Sequence, residues 1–325
     1  MITTHTNSDS LRAARSVGLI SRETGAVVKC EATFTGHTGP VWSLTLASDY
    51  NTLISGSSDT TVKVWDIASG KCKTTLRGHE GIVHGVGVNG NQIVSGSSDR
   101  MIKVWDMQSG KCLRTLEQQD NTVCSVIVAE GFVFTGSFGE IKVWDREYNL
   151  VDTLRGHNHW VRALCVSNRM LFTGSYNIIK VYDIRNAFQC TATIRVRLSL
   201  ARSLVRARPL LTRSVQVHCG SIYAIAVGGG RLLAGTYENL IYVWDLETLH
   251  CLATLHGHTG AVYNLCVLGS RFFSSSYDTT IRVWNLNTMH CEQTLTEHTS
   301  SVEALISAPT GAVFSAAADN TVRVR

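Results

Sequence analysis

The chain is notable first for what it lacks. No run approaches 18 consecutive apolar residues, so nothing reads as a membrane-spanning helix. Met1 to Ala26 holds no apolar stretch of the kind a secretory signal needs, which points to the cytoplasm, with the nucleus also open to it. There is no C-x-x-C and no Cys/His spacing suited to zinc, so no metal site and no cofactor is expected. No phosphate-binding loop and no unrepeated catalytic constellation occurs, so no catalytic residue is assigned. The net charge of +5 would suggest nucleic acid, but five arginines (Arg197, Arg202, Arg206, Arg208 and Arg213) crowd one short stretch. Without them, 25 basic residues face 25 acidic ones, and the case for a nucleic-acid partner disappears.

What is present is periodic. A Trp-Asp pair or a near variant stands at Trp65-Asp66, Trp105-Asp106, Trp144-Asp145, Tyr182-Asp183, Trp244-Asp245 and Trp284-Asn285, at intervals of 40, 39, 38, 62 and 40 residues. A repeat near 40 residues ending in such a pair is the mark of a four-stranded propeller blade. Between His37 and Leu76 run V-W-S-L-T-L, T-L-I-S-G-S-S-D, T-V-K-V-W-D and C-K-T-T-L, each short and rich in β-branched residues, with Gly, Ser or Asp at the joints. Seven such units follow one another, opening at His37, His79, Gln119, His157, His218, His258 and His298. The fold expected is therefore all-β, a seven-bladed propeller over residues 30–325, preceded by a poorly ordered segment over residues 1–29.

The recurring polar residues have a structural task. In blade 1, His37, Ser55 or Ser57, Asp59 and Trp65 can join in one buried hydrogen-bonded chain, which is worth having only if every member is satisfied. The same set occurs as His79, Asp99 and Trp105 in blade 2 and as His258, Asp278 and Trp284 in blade 6. A Ser-His-Asp triad is rejected, because the set repeats from blade to blade and singles out no nucleophile. The set decays in blade 3 (Gln119, no turn Asp), blade 4 (Asn177, Tyr182) and blade 5 (Glu238). Six of the ten cysteines (Cys30, Cys72, Cys112, Cys190, Cys251 and Cys291) hold one repeat position and read as small buried or half-buried hydrophobes.

The ends and the long interval complete the plan. The seventh unit stops at Arg325, where the Trp should stand, and lacks a fourth strand; Cys30 to Thr35 matches that missing strand and is expected to close the ring. Arg325 is expected to leave the last blade imperfect. Between blades 4 and 5 about 21 surplus residues, Val196 to Gln216, account for the interval of 62. Three readings stand: a basic functional loop, a solvated linker, or a retained intron in the gene model. The last is favoured by the five arginines and the lack of any acidic residue.

A partner is expected on the face where the fourth-to-first and second-to-third strand loops emerge. The positions projecting there are Trp42 in blade 1, Trp160, Arg162 and Tyr176 in blade 4, Tyr223 and Tyr237 in blade 5, and Tyr263 and Tyr277 in blade 6. Blades 2, 3 and 7 offer mostly small or polar residues, such as Ser98, Thr122 and Ala318. An arc of Tyr, Trp and Arg is the composition of an interface centre, set against ordinary packing between blades.

These G-H…W-D repeats resemble the WD40 family over residues 30 to 325. The strings N-H-W-V-R-A-L (Asn158 to Leu164), S-I-Y-A-I-A-V (Ser221 to Val227) and G-T-Y-E-N-L-I (Gly235 to Ile241), with the I-K-V-W-D of blade 3, narrow this. Together they are similar to the C-terminal propeller of TRAF-type RING ubiquitin ligases. That resemblance implies a monomeric docking platform for a MAP kinase kinase kinase of stress signalling and for ubiquitination substrates. Residues 1–29 hold no RING, zinc ligands or heptads, so ligase activity is not carried over to this chain. The competing expectation is the substrate receptor of an F-box ligase, or a general scaffold. Arg162 alone stands where such receptors gather arginines for phosphorylated segments.

Overall fold

The computed structural model describes residues 27–116, 119–196 and 220–325. Within them the chain forms seven four-stranded antiparallel sheets arranged around a channel, and no helix. Blade 1 comprises Val41–Leu46, Thr52–Ser57, Val62–Asp66 and Cys72–Leu76, in order from the channel outward. Its second strand is buried throughout and its third nearly so, whereas the outermost begins exposed. Each sheet is covered on both faces by its neighbours, which is why the middle strands are buried along most of their length even where they carry Ser, Thr or Lys.

The seventh blade takes its outermost strand from the other end of the chain. Ala32–Phe34 pairs antiparallel with Val322–Val324, matching Ala32 with Val324, Thr33 with Arg323 and Phe34 with Val322. Upstream of it, Val28 exchanges two hydrogen bonds with the Gln293 amide on the rim of blade 6, at 2.9 and 2.8 Å. The ring thus closes with no free sheet edge at the joint.

The tryptophans recur because each fills the seam to the preceding blade. Trp65 packs with Phe314, Ala316 and Val324 of blade 7, Trp105 with Ile54 and Val64 of blade 1, and Trp284 with Leu233 and Val243 of blade 5. The glycine before the histidine makes room for the indole: a Cβ on Gly36 would lie 3.3 Å from Trp65 Cη2, and one on Gly78 would lie 3.3 Å from Trp105 Cη2.

The polar chain forms as expected, and it selects Ser55 rather than Ser57. Trp65 Nε1 donates to Ser55 Oγ at 2.8 Å, Ser55 Oγ lies 2.7 Å from His37 Nε2, and His37 Nδ1 lies 2.7 Å from the Asp59 carboxylate. The indole only donates and the carboxylate only accepts, so proton order is fixed along the chain: Trp65 to Ser55 to His37 Nε2, then His37 Nδ1–H to Asp59. Ser57 instead donates to the Gly39 carbonyl and accepts from the Asp59 N–H. The same geometry holds in blade 2 (His79, Ser95, Asp99, Trp105) and blade 6 (His258, Ser274, Asp278, Trp284).

Blade 7 corrects the expectation of an imperfect end. His298 binds Asp319 and Ser315 at 2.7 and 2.8 Å, and Arg325 Nη1 donates to Ser315 Oγ from the place of the indole. A guanidinium, like an indole, only donates, so the chain keeps its direction.

The decaying sets leave visible gaps. In blade 3, Trp144 Nε1 donates to Thr135 at 3.0 Å, and no turn carboxylate is present. In blade 4, His157 Nε2 meets Thr173 at 2.7 Å, but His157 Nδ1 and the Tyr182 hydroxyl are buried without a partner among the described residues. In blade 5, Ala234 stands where the serine should be, a sequence signal that went unread; His218 lies outside the described residues.

Two further expectations meet the structure. The repeated cysteines are not buried: Cys72, Cys112, Cys190, Cys251 and Cys291 are exposed, and Cys30 is half-buried. Each of the first four, and Cys291, pairs across a bulge with the Trp or Tyr of its blade, on the outermost strand, where the thiol faces the rim. Cys72 and Cys112 donate to the carbonyls of Thr74 and Arg114 at 3.4 Å. The insertion, apart from Val196, and the N-terminal segment through residue 26 lie outside the described residues. Val196 itself is buried against Trp244 and Leu232 of blade 5.

Candidate functional site

Two rings of side chains define the face on which the strand-joining loops meet the channel. The inner ring comes from one repeat position at the start of each innermost strand, its second residue in five blades and the residue just before it in blades 3 and 4: Trp42, His84, Cys124, Arg162, Tyr223, Tyr263 and Glu303, in order of the blades. All seven line a channel cavity of about 420 Å³. The first residue of each strand, such as Val41, Val83 or Val262, is fully buried between blades, so alternation turns the next one toward the channel. Four members of this ring (Trp42, Arg162, Tyr223 and Tyr263) were anticipated. His84, Cys124 and Glu303 were missed, although the same position in the repeat marks them.

The outer ring stands one residue before each turn Asp, or at its equivalent: Ser58, Ser98, Phe138, Tyr176, Tyr237, Tyr277 and Ala318. On four consecutive blades, 3 to 6, this position is aromatic, and the four are 43%, 41%, 59% and 63% exposed. Phe138 adds an aromatic residue to blade 3, where mostly small or polar groups were expected. Its ring meets Trp160 edge-on at 5.2 Å, after the long strand Leu150–Trp160 has brought Trp160 beside it.

The rings interlock. Tyr223 meets Tyr263 edge to face at 5.2 Å and Tyr237 at 6.4 Å, Tyr263 meets Tyr277 at 6.3 Å, and Arg162 Cζ lies 5.5 Å above the Tyr223 ring. His159 bridges Phe138 and Tyr176 at 5.9 and 5.5 Å. Trp42 stands apart across the channel, edge-on to His84 at 5.6 Å. The predicted residues Trp160, Arg162, Tyr176, Tyr223, Tyr237, Tyr263 and Tyr277 thus gather into one belt over blades 4 to 6, extended to blade 3 by Phe138.

Burial and charge decide what the inner ring can do. Burial, helped by Arg162, lowers the His84 imidazole to about 4. Burial pushes the Cys124 thiol up to about 11 despite the opposing pull of Arg162. A thiol beside an imidazole invites a nucleophilic reading, but both shifts run against a thiolate–imidazolium pair at neutral pH. Burial also raises the Tyr223 phenol, with Arg162 opposing, and the Tyr263 phenol, with Glu303 reinforcing. Both therefore remain neutral hydrogen-bonding groups. Burial raises Glu303 in turn, opposed by its hydrogen bond from Ser301. The face is equipped to stack, to donate hydrogen bonds and to meet charge. Among the described residues no group of three or more His, Cys, Asp or Glu is placed to hold a metal ion, and no helix is long and apolar enough to cross a membrane.

Comparison with known proteins agrees with this geometry. The chain is 41% identical over 237 residues to the E3 ubiquitin-protein ligase TRAF7 of mouse and of human, covering 71% of this chain and 36% and 32% of those proteins. It thus spans about a third of the length of those relatives. A shorter likeness joins it to human F-box/WD repeat-containing protein 10, 42% identical over 50 residues, or 15% of this chain and 5% of that protein. The WD domain, G-beta repeat model matches residues 28–66, 70–106, 148–183, 249–285 and 289–325. The unmatched stretches contain the repeats ending at Trp144 and Trp244, two of the three blades whose polar chains have decayed. With more than half its length matched by that model and the chain folded into seven four-stranded blades, the chain belongs to the WD40 repeat family.

Proposed function

We propose that this propeller docks protein partners through the aromatic belt of blades 3 to 6, and that it serves a TRAF-type ubiquitin ligase as its platform for substrates and for a MAP kinase kinase kinase. One observation carries the reading of the face: Phe138, Tyr176, Tyr237 and Tyr277 stand exposed at one repeat position on consecutive blades, while blades 7, 1 and 2 put Ala318, Ser58 and Ser98 there. Exposed side chains fill no core, and a contiguous aromatic surface beside an arginine is what interface centres are made of. The likeness to the TRAF7 ligases supports the ubiquitin-ligase part of this reading, and the kinase is part of the proposal. In this reading the propeller works as a monomer in the cytoplasm, takes no cofactor, and contributes binding rather than catalysis. An F-box-type receptor for phosphorylated segments fits less well, since Arg162 is the sole arginine of the inner ring.

The test is capture on the immobilised chain with identification by mass spectrometry, comparing wild type with Tyr237→Ala/Tyr277→Ala. The expected result is recovery of kinases of the MAP kinase kinase kinase class or ubiquitin-pathway proteins by wild type, loss of them by the variant, and an unchanged melting temperature. Equal recovery by the variant overturns the face; recovery of neither class by wild type overturns the pathway.

A further inference from the structure

Among the seven side chains of the inner ring, Glu303 is the one buried carboxylate, 7% exposed. Its Oε1 accepts from Ser301 Oγ at 2.6 Å, and among the described residues it forms no ion pair. With one hydroxyl as its only hydrogen-bond donor among the described residues, this buried group is costly to hold charged, and a cation that completes it offsets that cost. Blade 4, which carries Arg162, lies three blades away, and the Arg162 guanidinium is held over Tyr223. On the far side of Glu303 the Trp42 indole N–H is buried with no partner among the described residues. The Tyr263 and Tyr223 rings wall the same cavity, whose volume of about 420 Å³ lies in the range that admits a small-molecule-sized group.

We propose that the channel mouth takes one basic side chain, lysine or arginine, inserted end-on from a protein partner docked on the aromatic belt. Glu303 receives its charge, Tyr223, Tyr263 and Trp42 line its stem, and the Trp42 N–H meets a carbonyl of the partner's chain. Aromatic walls around a cation with a carboxylate at the end combine quadrupole attraction and ion pairing in a site shielded from water. The inference rests on reading this face as a protein-docking surface, and it names the chemistry that the surface selects.

The experiment titrates the full chain with N-acetyl-arginine methylamide, N-acetyl-lysine methylamide and the neutral isostere N-acetyl-citrulline methylamide. The readout is the indole N–H resonance of Trp42, assigned by its loss in Trp42→Phe. A saturable shift with at least one cation, at least tenfold weaker with citrulline, is expected, and Glu303→Gln should weaken the cation's binding at least tenfold. The arginine and lysine arms decide which basic group fits. Equal binding of citrulline, undiminished binding by Glu303→Gln, or no shift with either cation overturns the proposal. The small probes do not touch Tyr237 or Tyr277, so failure here leaves the capture experiment to judge the docking face independently.

Discussion

Arg325 and Glu297 replace, as a pair, the indole and the glycine that meet in other blades. Arg325 follows Ser315 by ten residues, as Trp65 follows Ser55, and Glu297 precedes His298 as Gly36 precedes His37. In blade 1 the indole comes so close to Gly36 that a Cβ would be crowded at 3.3 Å. In blade 7 the guanidinium leaves space for a side chain, and Glu297 Oε2 uses it to bind Arg325 Nη2 at 3.3 Å. Arg325 is 1% exposed, so its charge is tolerable only with that partner and Ser315 in place.

The exchange predicts a mutational cycle. Arg325→Ala should cost about 1–3 kcal/mol by removing one of the two partners of Ser315 and leaving Glu297 without its ion pair. Arg325→Trp should also destabilise, because the indole meets the Glu297 side chain. Glu297→Gly combined with Arg325→Trp should recover wild-type stability or better. Urea unfolding of wild type, Arg325→Trp, Glu297→Gly and the double variant measures the coupling; additive single effects would sink the idea.

Acid should weaken blade 4 in a defined window. Burial, with Lys180 contributing, lowers the His157 imidazole to about 4, against an ordinary value of about 6.5 in the unfolded chain. A depressed native pKa means that the unfolded state binds the proton first as pH falls. The stability contributed by neutral His157 is therefore complete above pH ~6.5 and drains away toward pH ~4, on the order of 2–3 kcal/mol in all. His157→Gln should flatten the pH dependence of unfolding between pH 7 and 4.5; an unchanged slope would rule this out.

Below that window the turn aspartates take over. Burial would raise Asp59, but hydrogen bonds from His37, Thr61 and the Thr38 N–H outweigh it and hold the carboxyl well below the usual range. A lowered carboxylate pKa stabilises above the unfolded value near 4 and loses that effect as pH falls further. Asp278 and Asp319 behave alike for the same reasons. Asp59→Asn should be less stable than wild type at pH 7, with the gap narrowing below pH 4, as chemical denaturation at the two pH values would register.

Blades 3 to 5 should open more readily than blades 1, 2, 6 and 7. The former lack parts of the polar chain: the turn Asp in blade 3, the indole in blade 4, where Tyr182 stands, and the serine in blade 5, where Ala234 stands. Native-state amide exchange should show lower protection in their second and third strands. Uniform protection around the ring is the contrary result.

Ring closure predicts the effect of truncation. Without residues 1–35, the Val322–Val324 strand becomes a free edge, and Phe34 leaves the cluster around Trp65. Loss of a single cooperative unfolding transition is the expected outcome. A truncated chain that still unfolds in one sharp step would refute closure by that strand.

Much of this architecture was legible because propeller blades are local. The Trp-Asp period, the β-branched runs and the orphaned match at Cys30 to Thr35 specify sheets whose strands are consecutive in sequence, so spacing alone carries the topology. The polar chains of blades 1, 2 and 6 could be read for the same reason. The cysteines were misplaced because their period reveals a shared position but not its side, and a bulge opposite each Trp or Tyr turns them to the rim. Ser55 and Ser57 were equivalent by type; only the pairing of Ser55 beside the indole separates them.

The sequence by itself determined the number of blades, the closure and the aromatic arc, since each depends on residues at fixed intervals within one repeat. Only the tertiary structure decided that Arg325 completes the last blade, that Phe138 joins the arc, and that Glu303 lies buried among aromatic rings at the channel mouth. Those three depend on contacts between repeats, or between residues far apart in one repeat. The repeat position marks Phe138 and Glu303, but how the sheets pack decides what each side chain touches, and no local pattern encodes that.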